Sequence, residues 1–173
     1  MKRADQNNEI GATERQNDDL KLDRIDRKIL NILQKNNKIT NLELAELVHL
    51  SPPPCLRRVR RLRDLGVIRD VAIIDPFKAG KTLTIFVSII LERQREELLE
   101  AFEKRMLKHN EVKQCYFVSG DIDYILVVQM EDMNHYHEFS RRVFSSEENI
   151  RSYRSVVCLN RVKYDTSVNL PEE

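Results

Sequence analysis

The apolar residues of this chain change their period once, near Gly80, and that change constrains the fold more than any other feature. Before it, Leu22, Ile25, Ile29, Ile32 and Leu33 recur three or four apart, the spacing of a helix with one buried face. After it, Leu83, Ile85, Val87, Ile89 and Leu91 alternate with other residues, the spacing of a strand with one buried face. Two domains follow, spanning residues 22–75 and 82–164, with 76–81 as the linker.

The first domain reads as three helices. Asp23 is placed to cap the first, which ends at Asn36-Asn37. The second starts at about Asn41, with Thr40 or Asn41 as its cap, and uses Leu42, Ala45, Leu47 and Val48. Ser51-Pro52 opens the third, since serine caps well and proline needs no donor in a first helical turn. It runs to Leu65, and Gly66 stops it. Ala45 is small where the second helix lets the third cross close by, and His49 stands at a turn position that favours positive φ. Val67-Ile68 and Val71 to Ile74 read as a short strand pair or wing, closed by Asp75-Pro76. The order is that of a winged helix-turn-helix.

The third helix carries the chemistry. Cys55, Val59 and Leu62 form its inward stripe, which places Arg57, Arg60 and Arg61 on the opposite face, flanked by Arg58 and Arg63. Five arginines stand against Asp64 alone, without the acids at i±4 that a salt-bridged solvated face would carry. Arginine suits both phosphate forks and guanine edges. Double-stranded DNA is the expected partner, even though the net charge of the whole chain is only +1.

The second domain runs strand Thr82–Leu91, helix Glu96–Lys108, strand Val112–Val118, strand Tyr124–Met130, helix Met133–Phe144 and a last strand around Tyr153–Leu159. This β-α-β-β-α-β order is the ferredoxin-like split unit, so the chain as a whole is α+β. On the first strand, Phe86 and Ile90 lie beside Thr84 and Ser88 on the second face, a semi-apolar surface suited to burial against another sheet. Between the second and third strands, Ser119-Gly120-Asp121 by itself reads as a hairpin turn.

Several function classes fall away. Cys55, Cys115 and Cys158 are odd in number and outside any CxxC spacing, as expected of reduced core thiols rather than disulfides or a zinc site. His135 and His137 diverge on a helix and do not make a metal pair. No Walker loop, Ser-His-Asp spacing or paired carboxylates mark an enzyme, so no catalytic residue, metal or cofactor is expected. The longest apolar run, Ile85 to Leu91, is too short to span a membrane, and no signal-peptide core precedes the first helix; a cytoplasmic protein is expected. Residues 1–21 are charged and nearly free of apolar side chains, which reads as a disordered tail, and 165–173 form a second tail.

Three strings resemble the Lrp/AsnC family of bacterial regulators. They are Leu22-Asp23-Arg24-Ile25-Asp26-Arg27 with Ile29-Leu30, Leu50 to Leu62 followed by Gly66-Val67-Ile68, and Val118-Ser119-Gly120-Asp121-Ile122-Asp123-Tyr124. The resemblance covers about Leu22 to Tyr164. It implies a helix-turn-helix over residues 41–60 and DNA contacts from Ser51, Pro53, Arg57, Arg58, Arg60 and Arg61, with Arg57 and Arg58 nearest base edges and Arg60 and Arg61 nearer phosphate. Pro53 departs from a common Thr, His49 from a frequent Gly, and Arg57 from an acidic residue in several relatives. The resemblance also implies dimers that pair their sheets and assemble further, typically to octamers. It implies an amino-acid effector held near Phe117, Ser119, Gly120, Asp121, Asp123 and Tyr124, with Asp123 accepting from its ammonium group. Regulation of amino-acid metabolism or transport, in the nucleoid, follows from the same resemblance. An effector-independent architectural DNA-binding protein is the alternative, and a structured-RNA binder a further one.

Overall fold

The structure, a computed structural model, describes residues 21–80 and 82–172. The expected disordered tail therefore lies outside the described residues except for Lys21. The chain divides into two compact units: one reaches to Ile73 and takes in the chain again from Lys163, and the other is Ile74–Val162.

In the first unit, α1 spans Arg24–Leu33, α2 Asn41–Leu47 and α3 Pro52–Asp64. Reciprocal capping boxes start α1 and α2. The Asp23 carboxylate accepts from the Asp26 N–H while the Asp26 carboxylate accepts from the Asp23 N–H, and Thr40 and Glu43 repeat the arrangement. Both α2 and α3 end in paired carbonyl closures around a left-handed residue. His49 has φ 57° as its position led one to expect, and Leu50 N–H donates back to the Ala45 carbonyl at 2.9 Å. Gly66 has φ 71°, and Val67 N–H donates to the Leu62 carbonyl at 2.9 Å. Ile29, Leu30 and Leu33 of α1, Leu44 and Ala45 of α2, and Cys55, Val59 and Leu62 of α3 form the core.

One local expectation differs here. The segment after Gly66 does not pair into strands: it is irregular, with Val67 and Ile68 packed at the edge of the core and Val71, Ile73 and Ile74 exposed. Its β-branched composition suits a ladder, but among the described residues of this unit no strand lies beside it to supply one. The tail expected over 165–173 returns to this unit: Leu170 packs against the same core, and Val168, Leu170 and Pro171 hydrogen-bond to Gln34, Asn31 and Arg27.

Near the start of the second unit, the stretch read as a linker forms one helical turn, α4 (Pro76–Ala79). Then follow β1 (Leu83–Leu91), α5 (Glu96–Met106), β2 (Val112–Phe117), β3 (Tyr124–Met130), α6 (Met133–Ser140) and β4 (Ile150–Val157). The sheet is antiparallel throughout, in the order β2-β3-β1-β4, as the split unit requires. Ile85, Val87, Ile89 and Leu91 face the helices with Leu126, Val128 and Met130, and meet Phe102, Met106, Tyr136 and Phe139. Each such buried side chain contributes roughly 1.5–3 kcal/mol. α6 stops short of the expected Phe144 because Arg141–Ser145 widens into a π-helical turn, which places Val143 and Phe144 in the core. The last strand lies earlier than expected, since Ile150 to Val157 is the stretch that pairs with β1. Cys55 is buried, but Cys115 and Cys158 are only half-buried.

Candidate nucleic-acid interface and effector loop

Three prolines occupy the first turn of α3, Pro52, Pro53 and Pro54. Ser51 has the extended backbone of a cap, but its hydroxyl accepts no capping bond, because the second and third helical positions, Pro53 and Pro54, have no N–H to give. Ser51 and Pro53 are exposed at the tip of the helix. The backbone donors that an anion finds at an ordinary helix start are thus missing from the first turn of α3.

The arginines of α3 divide into two sets. Arg58 Nη1 donates to Asp26 Oδ1 at 2.9 Å and to Asp23 Oδ2 at 2.6 Å. Arg61 Nη2 donates to the other oxygen of Asp26. Asp26 is only 1% exposed, so one carboxylate buried at the α1–α3 contact holds two guanidinium groups. A buried charge of this kind is tolerated only when paired. The Asp26 N–H, and after it the Arg58 guanidinium, hold the Asp23 carboxyl below its ordinary value against some desolvation. Asp23, then Asp26, hold Arg58 more firmly in its charged form. Arg63 pairs with Asp70 at 3.0 Å. Among the described residues, Arg57 and Arg60 pair with no carboxylate, and both are exposed.

Arg58 and Arg61 thus have carboxylate partners that the composition of α3 does not show. The acids are Asp26 of α1 and its cap Asp23, which lie at no fixed offset from α3 in the sequence. A signal was present. Asp26 precedes Ile29 and Leu30 by three and four residues and so shares their buried face, where a carboxylate requires a cation.

The effector loop divides similarly. Phe117, Ser119, Gly120 and Asp121 are exposed, and Gly120 turns the chain with φ 126°. Asp123 and Tyr124 point inward instead. Asp123 is 6% exposed, and its two oxygens accept from Leu91 N–H at 2.6 Å and from the Gln94 side-chain amide at 2.5 Å. Each oxygen of the expected acceptor for an ammonium group thus already takes one hydrogen bond, from the last residue of β1 and from Gln94 three residues beyond it. Tyr124 is packed between the rings of Phe102 and Phe117, with centroids 4.6 and 5.1 Å away, and donates its hydroxyl to Glu103 at 2.8 Å. Burial, and after it the Glu103 contact, pushes the Tyr124 phenol well above its usual range. Gln94 and Glu103 gave no sequence signal, since each is a polar residue whose partner lies across a tertiary contact. Among the described residues, no helix is long and apolar enough to cross a membrane.

Comparison with known proteins joins these two halves. Residues 22–69 match the winged helix-turn-helix DNA-binding family model, and residues 84–168 match the Lrp/AsnC ligand binding domain. The chain is 40% identical over 143 residues to the leucine-responsive regulatory protein of Escherichia coli, a match covering 82% of this chain and 87% of that protein. Its structure is similar to an AsnC family transcriptional regulator from Agrobacterium tumefaciens, with TM-score 0.75, 38% identity and coverage of 86% and 97% of the two chains. It is also similar to a Neisseria meningitidis transcriptional regulator in complex with L-Met, with TM-score 0.74, 35% identity and the same coverage. These domains and relatives are those of transcription regulators, not of enzymes. With a winged helix-turn-helix, a split β-α-β-β-α-β unit and a relative of this identity over most of its length, the chain belongs to the Lrp/AsnC family of transcriptional regulators.

Proposed function

We propose that this regulator reads duplex DNA through Arg57 and Arg60 and responds to a small effector of the amino-acid class. The observation that carries the DNA half is the division of the α3 arginines: Asp26 engages Arg58 and Arg61 and leaves Arg57 and Arg60 exposed. Arg57, nearer the helix start, is assigned to base edges and Arg60 to phosphate, with Ser51 and Pro53 at the tip against the backbone. Arg58 and Arg61 hold the helix on α1 and contribute long-range positive potential. Selection from a random duplex pool, followed by footprinting, tests this: recovery of a shared motif supports it, and a pool without one refutes it.

The effector half rests on the exposed side of the loop, where Phe117, Ser119, Gly120 and Asp121 offer an apolar surface, a hydroxyl, backbone donors and a carboxylate. The L-Met complex of the Neisseria relative supports the amino-acid class. Assembly is assigned to the uncovered sheet face. Phe86 and Val156 are direct cross-strand neighbours there, 41% and 58% exposed, and Tyr116 of β2 is exposed on the same face. Two copies of this face pair into a dimer, and dimers associate further, with the octamer the expected size. Control of amino-acid metabolism or transport in the cytoplasm, on the nucleoid, is the setting that fits.

One observation favours a second reading. Because each Asp123 oxygen already accepts a bond from Leu91 or Gln94, the fold itself accounts for this buried carboxylate without an ammonium group. An effector-independent DNA-organising protein needs no such group. An amino-acid panel, read by thermal shift and sedimentation, separates the two: a response by any member supports the effector reading, and silence across the panel supports the architectural one.

A further inference from the structure

The chain completes the sheet of the second unit at β4 and then returns to the DNA-binding unit. What receives it is one side of α1. Arg27, Asn31 and Gln34 are spaced four and three residues apart and so lie along a single helical face. Gln34 takes hold of the backbone of Val168 from both sides, its Nε2 donating to the carbonyl at 2.9 Å and its Oε1 accepting the N–H at 2.8 Å. Asn31 Nδ2 donates to the Leu170 carbonyl at 2.8 Å and to Glu172 Oε1 at 3.2 Å, and Arg27 Nη1 donates to the Pro171 carbonyl at 3.0 Å. The Leu170 side chain packs against the core of the unit. Three polar side chains reading one stretch of backbone, with one apolar anchor beside them, make a peptide dock whose occupant is residues 168–172 of the same chain.

The position of the dock in the chain gives it a consequence. The polypeptide passes between the units twice, at Ile73–Ile74 and at Val162–Lys163. Asp75 and Arg161, each within two residues of a crossing, lie 3.5 Å apart in the second unit, so both connections leave that unit side by side. An undocked tail would leave the first connection as the one hinge.

We propose that residues 165–172 form a strap which, docked on Arg27, Asn31 and Gln34, ties the DNA-binding unit to the effector unit at a second point. The strap narrows the orientations open to α3, so that two reading helices of one assembly meet paired half-sites at a higher effective concentration. This consequence rests on the DNA-binding and assembly readings above; the dock itself does not.

The experiment uses the full chain, the Asn31→Ala/Gln34→Ala variant and a chain ending at Tyr164. Hydrogen exchange without DNA comes first. In the full chain the Val168 amide exchanges on the order of tenfold more slowly than in the double variant, while β1 and β3 exchange alike in both. Equal exchange of the Val168 amide in the two proteins overturns the dock. Duplexes selected from a random pool are then offered as paired and as single half-sites. Shortening the chain lowers the preference for the pair by about tenfold and changes single-site affinity by less than about twofold. An unchanged preference, with the shortened chain folded, overturns the tether. Failure of the full chain to select any duplex overturns the DNA-binding reading and the tether's consequence with it, while the exchange result still decides the dock.

Discussion

Asp26 Oδ1 in α1 lies 2.9 Å from Arg58 Nη1 in α3, with the carboxylate buried and the guanidinium partly open to solvent. That asymmetry sets the direction of every effect at this contact. Removing the carboxylate frees two arginines that can turn outward and hydrate. Removing both arginines strands a charge in the core. The Arg58→Ala/Arg61→Ala variant is therefore expected to lose about 3–5 kcal/mol in the DNA-binding unit, and Asp26→Asn less, about 1–3 kcal/mol. Denaturant unfolding of both variants, followed by a probe in this unit, checks the order. Equal losses would mean that Asp26 is not buried as described.

Asp23→Asn isolates a charge from a cap, since asparagine caps as well as aspartate does. The Asp23 carboxyl is held below its ordinary 3.8 in the folded protein. Its contribution is thus present above that value and is lost as pH falls through the lower folded one. Melting of the DNA-binding unit is expected to fall as pH drops below about 4, and Asp23→Asn to flatten that acid limb while changing little near neutrality. Calorimetry across that range is the measurement, and an unaltered acid limb would remove Asp23 from the account.

Much of the fold was legible in the sequence, and the reasons differ by element. The alternation of β1 and the helical stripe of α3 survive because each element buries one face. His49 and Gly66 were readable because a left-handed residue is required wherever a helix closes in this way. The strand pair expected after Gly66 did not follow, because β-branched composition reports fitness for a ladder, not the presence of a partner strand. At the candidate sites, residue types were readable but directions were not. Arg58, Arg61, Asp123 and Tyr124 all turn toward partners on other elements, and such partners have no fixed sequence offset. Gln34 and Val168 are 134 residues apart, and nothing local announces their contact.

Asp123→Ala removes the acceptor of a buried backbone donor, Leu91 N–H, at the end of β1. A loss of about 1–3 kcal/mol is expected in the second unit, with the DNA-binding unit unaffected. Two-probe unfolding distinguishes the units. If Asp123→Ala leaves stability unchanged but abolishes an amino-acid response, the carboxylate belongs to the ligand and not to the fold.

Phe86→Arg places a charge at the centre of the uncovered sheet face, where Phe86 neighbours Val127 and Val156. Burial of an unpaired charge against a second copy is unfavourable, so sedimentation is expected to show a shift toward monomer at micromolar concentration. An unchanged assembly would place the dimer contact elsewhere.

The division of the α3 arginines is tested most directly by duplex affinity as a function of salt, measured for Arg57→Ala, Arg60→Ala and Asp26→Asn against the unaltered chain. Arg57→Ala is expected to lose about 1–3 kcal/mol on the selected motif and to relax its base preference. Arg60→Ala is expected to weaken all duplexes alike and to reduce the salt slope by about one. Asp26→Asn keeps both outward arginines and is expected to retain the base preference. Arg57→Ala/Arg60→Ala binding the motif with unchanged affinity and salt slope would contradict the account.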